Sequence, residues 1–150
     1  INLRRFNFRL QSILNLKEKK LEDERLKLAG IISVLESQKD ILLEMNEKKE
    51  YLEAQLENIT NSQVLDIQNV VGYKNFLNQT AQDIKMQFEI IKKTQFELEE
   101  QQIIVNEAYR EVKVLEKLKE KQYKNFLFEY EQTQIKEIDD ITISRQRRAI

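Results

Sequence analysis

Leucine returns at every seventh residue from Leu14, at Leu21, Leu28, Leu35 and Leu42, and, after one polar interruption at Lys49, at Leu56. A 3.5-residue period keeps one stripe of a helix turned toward a partner when helices wind left-handedly around each other, so this spacing demands a coiled-coil seam. A companion row runs Leu10, Lys17, Glu24, Ile31, Gln38, Met45, Leu52 and Ile59, mixing polar with apolar members. The rows together predict a first helix over about residues 4–60.

A second, independent ladder starts at Leu77 and continues through Ile84, Ile91, Leu98, Val105, Val112, Lys119, Phe126 and Thr133. Its companions, Thr80, Gln87, Thr94, Gln101, Ala108, Leu115 and Gln122, are mostly small or polar, with Phe88 and Tyr109 one residue further on. A wetter, less regular seam is expected here. Between the ladders, in NITNSQVLDIQNVVGY (residues 58–73), Asn, Thr, Ser and Gly cluster and the heptads lose phase, which places the chain reversal. Ser62 or Asp66 can cap the returning helix, and Gly72 can permit a bend before the ladder resumes. The expected fold is all-α: one long antiparallel two-helix coiled-coil hairpin spanning residues 1–150. Its loop covers about 60–72, its second helix about 72–143, and a short basic tail follows. A continuous helix that dimerises along its length is the rival topology. The hairpin is favoured because short linkage makes pairing of the two ladders intramolecular.

Composition narrows the function classes. The 150 residues include no Pro, Cys or His and only two Gly, Gly30 and Gly72. Without Cys and His there is no thiolate nucleophile, and the commonest general base and the usual transition-metal ligands are missing. The chain is read as not an enzyme, with no catalytic, cofactor-binding or metal-binding residues and no cofactor. The run EIDDI, with Glu137, Asp139 and Asp140, does not alter this, because neighbouring carboxylates on a helix point about 100° apart and do not converge on a metal. Twenty-five basic and 26 acidic residues are dispersed to a net charge of −1, which leaves no global field for nucleic acid. No apolar stretch is long enough to span a bilayer, and no signal peptide is recognisable, so a cytoplasmic protein is expected.

Two surfaces stand out. Val70, Val71, Tyr73, Phe76 and Leu77 crowd apolar and aromatic groups at the hairpin tip. They either form a small cluster against Ile59, Leu65 and Ile67 or offer a partner an exposed patch, since aromatic anchors concentrate binding energy. Tyr73, Phe76, Thr80, Ile84 and Gln87 would continue that patch as one stripe. At the other end a hairpin would gather Arg4, Arg5 and Arg9 with Arg145, Arg147 and Arg148. That basic end is either a solvated tail or a site for an acidic partner.

Three stretches resemble the FliJ family of flagellar export proteins: RRFNFRLQSILNLKE (residues 4–18), GYKNFLNQTAQDI (residues 72–84), and EVKVLEKLKEKQ (residues 111–122) leading to KEIDDI (residues 136–141). Taken in order they cover nearly the whole chain. The resemblance implies a coiled coil similar to the central stalk of rotary ATPases, a non-enzymatic part of the flagellar type III export apparatus. The implied partners are the export ATPase hexamer, whose assembly and activity it promotes, the cytoplasmic domain of the export gate, and export chaperones that it escorts. Tyr73, Phe76 and Leu77, extended by Thr80 and Ile84, match the family segment implied to contact the gate. The joined termini, with Arg4, Arg5, Arg9, Arg145, Arg147 and Arg148, would meet the ATPase ring. The implied location is cytoplasmic, at the inner face of the inner membrane through the export apparatus, and the chain alone is expected to be a monomer. A structural coiled-coil dimer and a prong-like chaperone with an apolar tip are the alternatives.

Overall fold

The computed structural model describes residues 5–64 and 66–149. The fold is an all-α hairpin of two long helices, α1 (Gln11–Thr60) and α2 (Ile67–Ala149). Two compact units are distinguished: one joins the chain up to Glu22 to the segment from Asn106 onward, and the other is Asp23–Val105. Within each the helices run antiparallel. In the second unit Gln38 meets Gln87 and Glu24 meets Gln101; in the first Gln11 meets Lys119 and Lys17 meets Glu111.

Both ladders of α1 turn inward: every member from Leu14 to Ile59 is buried or half-buried, with Leu14, Leu21, Leu35 and Leu52 deepest. Burying a leucine contributes about 1.5–3 kcal/mol, so this row supplies much of the hairpin's stability. On α2 the polar companion row lies inside the seam. Thr80, Gln87, Thr94 and Gln101, spaced by seven, are buried as deeply as Ile91, Ala108 and Val112. Their polar groups are satisfied locally or across the seam. The Thr80 hydroxyl donates to the Phe76 carbonyl at 2.8 Å and the Thr94 hydroxyl to that of Ile90 at 3.1 Å. The Gln87 amide donates to the Gln38 carbonyl at 2.9 Å. A buried polar group is tolerable when hydrogen-bonded, which is how a ladder half made of Thr and Gln stays closed.

The helix boundaries differ from those expected at both ends. The described backbone before Gln11 is not helical. Phe6 and Phe8 are two residues apart, and on a helix they would point about 200° apart, whereas the non-helical backbone here lets both pack inward. Phe8 is thereby buried, and Phe6 packs on Tyr123 and Phe126 with ring centroids 5.3 and 5.6 Å away. The reversal is shorter than expected: α1 ends at Thr60 and α2 starts at Ile67. Asp66 is the cap, its Oδ1 accepting from the Gln68 N–H at 3.1 Å, while the Ser62 hydroxyl accepts from the Val64 N–H inside the turn. Gly72 does not interrupt the helix. It lies within α2, and among the described residues none has positive φ. The segment expected as a basic tail after residue 143 is helical through its described residues: α2 runs to Ala149, with Arg147 and Arg148 in its last turn, where cations complement the helix dipole.

Candidate interaction site

The residues singled out after the reversal divide between seam and surface. Tyr73, Leu77, Thr80, Ile84 and Gln87 occupy ladder positions. Thr80 and Gln87 are buried, and Tyr73, Leu77 and Ile84 are half-buried. Phe76 alone stands out, 60% exposed. The expected stripe through Thr80 and Gln87 is therefore the seam itself, and neither residue reaches a partner while the hairpin is closed. Among the described residues there is no closed tip cluster: Val64 and Ile67 are open to solvent and Ile59 is half-buried, while Leu65 lies outside the described residues.

What stays open is the flank beside the seam in the Asp23–Val105 unit. Val34, Ile41, Phe76, Ile90 and Ile104 are exposed, and each immediately precedes a ladder residue: Leu35, Leu42, Leu77, Ile91 and Val105. That adjacency is the sequence signal that would have found them. Gly30, lacking a side chain, opens a groove of about 430 Å³ here, lined by Lys27, Gly30, Ile31, Val34, Thr94, Glu97 and Gln101.

The arginines do not form one patch. Arg4 lies outside the described residues. Arg5 and Arg9 are exposed, and their neighbour Phe6 packs on Phe126. Arg145, Arg147 and Arg148 are exposed on α2, the first of them 19 residues beyond Phe126, or about 28 Å at a rise of about 1.5 Å per residue. The extra length of α2 separates the two groups.

Among the described residues no three or more His, Cys, Asp or Glu are grouped to hold a metal ion, and Glu137, Asp139 and Asp140 are exposed. No described helix is long and apolar enough to cross a membrane. Glu111 and Lys113, both on the surface, are perturbed. Glu111 is held below the ordinary carboxylate range by its hydrogen bond and charge pairing with Lys17, 2.9 Å away. Lys113 is pushed up by Glu116, to which it donates at 3.1 Å, and it also lies over the Tyr109 ring. Both pairs act as surface electrostatics.

Residues 6–149 match the family described as Flagellar FliJ protein. The chain belongs to the FliJ family. The Flagellar FliJ protein of Bacillus subtilis (strain 168) is 30% identical over 140 residues, covering 93% of this chain and 95% of that protein. No solved structure matches. This FliJ-family chain is a flagellar protein, and its match begins at Phe6, the first residue of the aromatic contact with α2, and reaches the last turn of that helix. The family match thus spans both compact units.

Proposed function

We propose that this FliJ-family chain is a non-enzymatic, stalk-like component of the flagellar type III export apparatus. In this reading it works in the cytoplasm, at the inner face of the inner membrane. It binds the export ATPase hexamer through its termini, promotes the ring's assembly and activity, contacts the export gate through Phe76 and its neighbours, and escorts export chaperones. Family membership over nearly the whole chain supports the apparatus. The observation that carries the gate contact is Phe76, a large aromatic left 60% exposed beside half-buried Tyr73 and Leu77. Aromatic side chains of this kind dominate binding energy at protein interfaces.

An asymmetric helical hairpin inside a pseudo-sixfold ring touches some subunits differently from others. Differential contact is what a binder needs to bias nucleotide states. Arg145, Arg147 and Arg148 supply a positive set for the ring contact, and Arg5 and Arg9 a separate one. In the gate contact Phe76 is the anchor, Tyr73, Leu77 and Ile84 support it from the seam, and Thr80 holds the helix pair closed beneath it.

Adding the purified chain to the purified export ATPase should raise hydrolysis or hexamer content, and no change in either would reject the ring contact. Phe76→Ala should weaken binding to the gate's cytoplasmic domain by at least about tenfold while ATPase stimulation persists. Unchanged gate affinity would reject the site.

A further inference from the structure

The last part of α2 has no partner among the described residues. Phe6 reaches Tyr123 and Phe126, and Phe126 stacks on Tyr130. From Glu131 to Ala149 every residue but the half-buried Gln134 is exposed. This segment is amphipathic. At about 100° per residue, Leu127, Ile135, Ile138 and Ile141 fall within an arc of about 120°, with Lys136, Asp140 and Arg147 on the opposite side. Ile135, Ile138 and Ile141 are each more than half exposed. β-Branched residues favour helix weakly, and helices of this length draw most of their stability from packing. An isoleucine face on a lone helix therefore calls for something to cover it.

The charges say what covers it. Residues 129–140 carry Glu129, Glu131, Glu137, Asp139 and Asp140 against Lys136, whereas residues 145–148 carry Arg145, Arg147 and Arg148. Glu131 and Arg145 share the apolar face and lie seven residues to either side of Ile138. A second copy laid antiparallel with its dyad at Ile138 sets Glu131 against Arg145 twice, Ile135 against Ile141 twice, and Ile138 against itself. A parallel copy sets arginine on arginine. The electrostatic centre and the apolar centre coincide at one residue, which is the self-complementarity an isologous twofold interface requires.

We propose that two copies of this chain associate antiparallel through the α2 face centred on Ile138. The monomer expected from the sequence is then the dilute form, and the pairing does not depend on the export-stalk reading. Sedimentation of the full chain from micromolar to several hundred micromolar tests it. The mass should rise from one chain to two, and Ile138→Asp should weaken association at least about tenfold. Glu131→Arg and Arg145→Glu should each weaken self-association, and mixing those two variants should restore a mixed dimer, because both cross-pairs then carry opposite charge. All three positions are exposed, so folding is checked by unchanged helicity in dilute solution. A one-chain mass at every concentration, a dimer insensitive to Ile138→Asp, or no recovery on mixing would overturn the proposal.

Discussion

Gln101 reaches across the seam to Glu24: its Nε2 donates to the Glu24 backbone carbonyl at 3.1 Å and to the Glu24 carboxylate at 2.5 Å. The contact joins the companion rows of the two helices within the Asp23–Val105 unit and ties a polar ladder position to one register. Hydrogen bonds to charged groups contribute about 1.5–3 kcal/mol, so Gln101→Ala should lower unfolding free energy by about 2 kcal/mol in urea denaturation. Gln101→Leu should restore most of that loss by apolar burial but permit alternative registers, read as broadened amide signals in NMR spectra. An Ala variant as stable as the parent would show the contact to be energetically idle.

Gln38 presents the opposite case. Its Oε1 is buried without a hydrogen-bond partner. An unsatisfied buried acceptor costs about 1–3 kcal/mol, and Gln38→Leu removes it while keeping similar volume. The denaturation midpoint should rise, and a fall would mean that the amide is doing something its geometry does not reveal.

The two glycines are expected to be replaceable. Neither has positive φ, and a Cβ at Gly30 or Gly72 would meet nothing within 4 Å. Since Gly in a helix costs about 0.5–1 kcal/mol relative to Ala, Gly30→Ala and Gly72→Ala should each add about that much stability. Thermal unfolding by circular dichroism measures it. A drop for Gly72→Ala would restore the bend that the sequence suggested.

Phe8 and Phe76 should behave in opposite ways. Phe8 is 4% exposed, and losing a buried phenylalanine costs about 3–5 kcal/mol, so Phe8→Ala should destabilise by roughly 3 kcal/mol. Phe76→Ala should change stability by less than about 0.5 kcal/mol, as exposed positions do. Matching losses for the two variants would contradict the assigned burial.

The Lys17–Glu111 pair sets a pH dependence. The folded-state pKa of Glu111 is depressed, so its contribution is present above the unfolded-state value and is lost as pH falls through the folded one. The stability gap between the parent and Glu111→Gln should close on acidification through and below the ordinary carboxylate range. Salt should narrow it at neutral pH, because exposed pairs are screened. A gap that widened with acid would reverse the sign of the coupling.

The heptads made the helices and the inward rows legible in advance: Leu14, Leu21, Leu35 and Ile91 were read as seam residues and are buried there. The candidate site was only partly legible. Phe76 could be named because it is aromatic and lies near the break, but its exposure follows from sitting one residue before the ladder at Leu77. Thr80 and Gln87 fit two sequence patterns at once, the companion row of the second seam and the stripe continuing from Tyr73 and Phe76. Thr80 bonds to the carbonyl four residues back in its own helix, but the acceptor of Gln87 is the Gln38 carbonyl across the seam, which no linear pattern displays.

Periodicity determined that this chain makes long helices that pair, because a 3.5-residue apolar repeat has no use except against another helix, and the polar break at residues 58–73 favoured a reversal between two of them. Tertiary structure decided the register of that pairing, and with it which residues are left over. Among the described residues the segment before α1 meets α2 at Tyr123 and Phe126, while Arg145, Arg147, Arg148 and the Ile138 face lie further along α2 and are exposed. Registers one heptad apart satisfy the same sequence pattern. Cross-seam contacts such as Gln101 with Glu24 and Lys17 with Glu111 distinguish them, because they form only when both helices are in place.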